Sequence, residues 1–173
     1  MSSALRHALS LVLCFTFLLI SSPAQAVSLV RVLRYDASRA AEFRGAVDQA
    51  AAIWNSSVTN VRLVAGTPAG FVVVADNGWP RAMPTSLGRG TIWMGRQATS
   101  QGYNPVRIAT HEIGHILGLP DRRTGRCTDL MSGSSAGVSC TNPYPNAAER
   151  AEVEANFAGS TPSVQFGRVH EDR

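Results

Sequence analysis

Two histidines four residues apart, with a glutamate beside the first, stand in the stretch His111-Glu112-Ile113-Gly114-His115 of a 173-residue chain. On a helix, residues four apart share one face, so both imidazoles can address a single metal ion. Glu112 is offset by one position and can reach a water on that ion without ligating it. A metal-assisted hydrolase needs its general base in that place. With four histidines in the chain, chance would produce this pattern in roughly a quarter of a percent of cases. Two histidines satisfied only by hydrogen bonds would also leave a carboxylate buried beside them, which is rare without a partner.

A catalytic zinc keeps three protein ligands and leaves a fourth position for water. Gly118 follows His115 by three residues, where a helix can stop in a left-handed turn, and Leu119-Pro120 does not continue it. That reversal can bring Asp121 back towards the histidines. A rival reading takes the third ligand from Glu149, Glu152 or Glu154, further along the chain.

The elements that must position these groups are legible in outline. Val27 to Tyr35 reads as a strand, and Asp36 and Ser38 as start signals for a helix over Arg39 to Trp54. Phe43, Val47, Ala50, Ala51 and Trp54 recur there at helical spacing as a core stripe. Strands fit Val61 to Val64, Phe71 to Ala75 and Thr91 to Met94, the last as the edge of a cleft that pairs with an extended substrate. A helix fits Val106 to Leu117. Another opens at Asn146, with Glu149 at capping-box spacing, and runs to about Phe157. Residues 118 to 145 are loop-rich and contain Cys127 and Cys140.

Arg6 and His7, the apolar run from Leu9 to Ile20 and the Ala24-Gln25-Ala26 ending predict a signal peptide over residues 1–26. Residues 27–158 then form one domain, and 159–173 a polar, loosely ordered tail. Cys14 leaves with the signal, and the even pair that remains in an oxidising setting is expected to form a disulfide. No second apolar stretch provides a membrane anchor. The formal net charge of +4 comes from scattered arginines not interleaved with aromatics, which excludes a nucleic-acid surface. A secreted protein follows, with no nucleic-acid partner and no membrane anchor.

His111 to Asp121 matches the extended signature H-E-x-x-H-x-x-G-x-x-D. Asp129-Leu130-Met131-Ser132-Gly133 resembles the Met-turn of the metzincin metalloproteases. With Asp121 as third ligand, a cysteine before the Met-turn and Ser139 to Asn146 after it, the chain resembles the snapalysin family of small secreted neutral proteases. The likeness covers about residues 29–158. The resemblance implies an α+β fold of the metzincin-like zincin type: a twisted mixed sheet, an active-site helix and a C-terminal helix. It implies Zn2+ held by His111, His115 and Asp121, with Met131 as an apolar floor and a Cys127–Cys140 link around the Met-turn.

The implied activity is that of a zinc endopeptidase acting on protein or peptide substrates as a monomer. Glu112 would activate a zinc-bound water, with Tyr or Phe preferred just after the cut bond. An alternative is a secreted binding module that keeps the fold without turnover. Three departures from the family stand out. Arg123 replaces a tyrosine near the reacting carbonyl. Asn104 and Val106 replace the acidic surroundings of a calcium, so no calcium is expected. The first strand follows the signal so closely that no pro-segment is expected.

Overall fold

The computed structural model describes residues 29–172, so the expected signal peptide lies outside the described residues. Strands β1 (Arg31–Arg39), β2 (Val61–Ala65), β3 (Phe71–Asp76), β4 (Arg81–Ser86), β5 (Arg89–Gly95) and β6 (His170–Glu171) form one mixed sheet in the order β2-β1-β3-β5-β4-β6. The first four neighbours in that order are parallel, whereas β4 is antiparallel to β5 and β6 antiparallel to β4. Leu33, Tyr35, Val61, Leu63, Phe71, Val73, Ile92 and Met94 are buried, and their alternation puts them on one face. Val32 and Val64 on the intervening positions are exposed. The apolar face is therefore covered on one side only.

That cover consists of α1 (Arg44–Ser57) and α3 (Pro105–Ile116), which pack on each other. The short α2 (Arg96–Ser100) joins β5 to α3, and α4 (Ala147–Phe157) follows the long loop. Val47, Ala50, Ala51 and Trp54 of α1 are buried as the spacing predicts. The Trp54 indole donates to the carbonyl of Thr110 on α3 at 2.9 Å, so the largest buried side chain of α1 grips the metal-motif helix directly. Helix α4 carries the expected capping box, Asn146 and Glu149 each accepting from the other's backbone.

Three expectations are corrected. The first strand continues through Asp36 and Ser38 to Arg39, and helical structure begins at Ala41. The Asp36 carboxylate accepts from the Ser38 amide at 2.8 Å, but it does so inside an irregular stretch of strand pairing, not at a helix start. Thr91 to Met94 is not the edge of the sheet, because β4 lies outside it. Strand β4 holds Pro84 and follows Pro80; proline removes a ladder donor and is tolerated in strands near sheet edges. The polar segment beyond Gly159, read as a loose tail, ends in β6 and adds to that edge.

Candidate metal centre

Helix α3 starts on Asn104, whose side chain accepts from the amides of Val106 and Arg107, with Pro105 at the first helical position. This gives Asn104 a capping role. The helix stops at Gly118, which has φ 97°. There the Leu119 amide donates to the Gly114 carbonyl at 2.9 Å and the Gly118 amide to the His115 carbonyl at 3.0 Å. This pair of bonds is a Schellman motif, and it reverses the chain so that Asp121 returns to the histidine face.

The His111 Nε2 lies 3.3 Å from Asp121 Oδ1, and the His115 Nε2 lies 3.6 Å from the same oxygen. Ligands about 2.0–2.1 Å from a tetrahedral ion stand about 3.4 Å apart, so these spacings suit a shared ion. Each imidazole is oriented from behind. His111 Nδ1 faces the Leu130 carbonyl at 3.0 Å, and His115 Nδ1 faces the Leu119 carbonyl at 2.8 Å. A proton on each Nδ1 leaves each Nε2 as a lone pair aimed inward. Both Nε2 atoms, Asp121 Oδ1 and both Glu112 oxygens are buried without a hydrogen-bond partner. Buried polar atoms are normally paired, so five such atoms around one point fit a cation and a water bound to it.

The electrostatics agree. Burial pulls the His111 imidazole down, but the carboxylates of Asp172, Asp121 and Glu112 outweigh it and push the group up to about 10. Burial and the neighbouring His111 charge hold His115 down at about 3. Burial would raise Asp121, yet contact with His111 and the charges of His115 and Arg123 take it down to about 2. Burial first, then Asp172 and Asp121, hold Glu112 well above the ordinary glutamate range. The pocket is short of positive charge.

Beneath the histidines lies Met131, wholly buried. A Cβ added at Gly114, between the two imidazoles, would meet the Met131 sulfur at 2.7 Å, so that glycine lets the floor approach the helix. The floor is pinned from three sides. The buried Arg107 guanidinium donates to the carbonyls of Cys127, Asp129 and Asn142. The Glu149 carboxylate accepts from the amides of Leu130 and Met131, tying the Met-turn to α4. Cys127 and Cys140 are bonded, 13 positions apart, and a loop of that size is stabilised by about 3 kcal/mol on the chain-entropy model.

The three rival ligands are engaged elsewhere: Glu149 as just described, Glu152 with Arg122, and Glu154 with the amides of Thr59 and Asn60. Among the described residues, two groups of metal-ligating side chains converge, His111-His115-Asp121 and His111-Glu112-Asp172. Asp172 and His170 have no motif in the sequence that could have found them. The nearest signal is that both are metal-ligating residue types in an otherwise unassigned tail.

A helix with two histidines and a glutamate, packed on a mixed sheet and met by an aspartate after a reversal, is an arrangement suited to a metallopeptidase. Residues 30–160 match the Streptomyces extracellular neutral proteinase (M7) family, and the chain belongs to it. It is 48% identical over 126 residues to the extracellular small neutral protease of Streptomyces caespitosus, covering 72% of this chain and 95% of that protein. Its identity to the protein of the same description from Streptomyces coelicolor is 45% over 134 residues, covering 76% of this chain and 61% of that one. Among solved structures, the high choriolytic enzyme 1 of Oryzias latipes, a hatching-enzyme zinc-protease, aligns with a TM-score of 0.42 at 20% identity, over 55% of this chain and 47% of that one. Among the described residues, no helix is long and apolar enough to cross a membrane.

Proposed function

We propose that this chain is a secreted zinc endopeptidase in which His111, His115 and Asp121 hold the ion and Glu112 is the general base. The observation that carries the reading is the convergence of five unpartnered, buried polar atoms at one point. Bound there, zinc would acidify a water towards a pKa of about 7 and polarise the scissile carbonyl. The Leu130 and Leu119 carbonyls keep the two imidazoles turned inward. Burial raises the proton affinity of Glu112, which suits a group that takes a proton from the attacking water and hands it to the leaving amine. Strand β4, beside the site, has the outer edge to which an extended peptide would add as a strand, in the place that β6 takes here. Resemblance to relatives adds protein or peptide substrates, a preference for Tyr or Phe just after the cut bond, and a monomeric, extracellular enzyme.

The test is casein digestion by the purified protein with and without a zinc chelator. Digestion is expected to cease on chelation and to return when zinc is added back. Digestion that survives complete removal of zinc would contradict the reading.

A further inference from the structure

After α4 the chain returns across the site. The Val164 amide donates to the Gly118 carbonyl at 3.2 Å and the Gly167 amide to the Pro84 carbonyl at 2.8 Å. His170 then pairs with Ala82 and Glu171 with Arg81 as β6 adds to the edge of β4. This is the edge on which the proposed strand addition of substrate depends. A segment of the chain already lies there.

The end of the segment is fixed by groups around the metal centre. The Trp79 indole donates to the Asp172 carbonyl, and the Asp172 amide to the Pro80 carbonyl at 3.3 Å. The Arg123 guanidinium donates to the Glu171 carbonyl at 2.8 Å. Arg123 thus stands at the rim of the site and holds the segment. The His170 ring stacks on the ligand imidazole of His115 with centroids 4.8 Å apart.

The Asp172 side chain is buried, with Oδ1 accepting from the Ser134 amide at 2.8 Å and Oδ2 lying 3.9 Å from His111 Nε2. Its seat is shaped for it. A Cβ added at Gly133 would meet Asp172 Oδ1 at 1.9 Å, so the residue after the Met-turn leaves the space that the carboxylate fills. The recess beside His111, lined by Tyr103, Ile108, Gly133, Ser134 and Asp172, retains about 10 Å³, which is room for one water and not for a substrate side chain. A third carboxylate is thereby buried beside Glu112 and Asp121. Arg123 lies 3.8 Å from Asp121 and 3.9 Å from Asp172, so one guanidinium faces three acids, and a bound cation would balance the rest.

We propose that residues 164–172 are an internal inhibitor, occupying the substrate's strand on β4 and presenting Asp172 as an additional carboxylate ligand to the ion. The inference rests on the metal-site reading given above. Withdrawal of the segment, or hydrolysis of the exposed link over residues 159–163, opens the edge, the recess and the fourth metal position together.

The test compares the complete chain, its Asp172→Asn variant and a chain ending at Ser163. Each is measured for zinc content, for the rate at which a chelator strips the zinc, and for casein hydrolysis. With zinc bound equally, both altered chains are expected to cut casein and to release zinc roughly tenfold faster than the complete chain. A synthetic peptide of residues 164–173 should inhibit the shortened chain, and its Asp172→Asn version should do so more weakly. If the shortened chain does not fold, Asp172→Asn in the complete chain gives the same readouts. Equal casein and zinc-release rates in zinc-loaded forms would overturn the inhibitory segment and leave the metal site standing. Failure of every form to bind zinc would overturn both.

Discussion

His111 and His115 owe their readiness for a metal to atoms that the sequence does not display. The H-E-x-x-H spacing puts the two rings on one face, but the carbonyls of Leu130 and Leu119, which turn the Nε2 atoms inward, come from the loop after the helix. Glu112, wholly buried with neither oxygen hydrogen-bonded, is the proposed general base. Glu112→Gln preserves shape and removes that capacity. The variant should keep its zinc, measured by elemental analysis, while casein hydrolysis falls by roughly 10²–10⁴-fold. Near-parental hydrolysis would remove Glu112 from the role of base. At this scale the sequence shows His111, Glu112 and His115 outright and Asp121 through the glycine turn and the family signature. Asp172 and His170 were hidden because they lie about fifty positions away in a segment without periodicity. No local pattern links them to α3.

The helices were the legible elements, because their apolar spacing and caps are written locally. The stripe on α1 and the Asn146 capping box appear where the spacing puts them. Strand β4 was obscured by Pro84 and by Pro80 just before it, and β6 spans two residues, too few for any alternation. The turn at Gly118 is the element-scale device that brings Asp121 beside His111 and His115. Its φ of 97° suits glycine alone, and an added Cβ would meet the Asn156 side-chain nitrogen at 2.5 Å. Gly118→Ala should therefore destabilise the fold by about 1 kcal/mol or more, seen as a lower midpoint in thermal unfolding. Zinc content should fall with it, since the turn delivers Asp121. An unchanged midpoint with full zinc would show that the reversal does not depend on glycine.

Across the whole molecule, the sheet, the α1–α3 layer and the pinned Met-turn form the floor of the site, and the C-terminal segment lies against β4 and His115. The central claim is that the ion is held by His111, His115 and Asp121. It is tested most directly by the zinc content of the purified, dialysed protein beside Asp121→Ala, Glu149→Ala, Glu152→Ala and Glu154→Ala. The account predicts a full complement of zinc in the parent and in the Glu152 and Glu154 variants, loss of zinc in Asp121→Ala, and in Glu149→Ala a lower unfolding midpoint with zinc kept by the folded fraction. Full zinc in Asp121→Ala, with zinc lost from one folded glutamate variant, would contradict it.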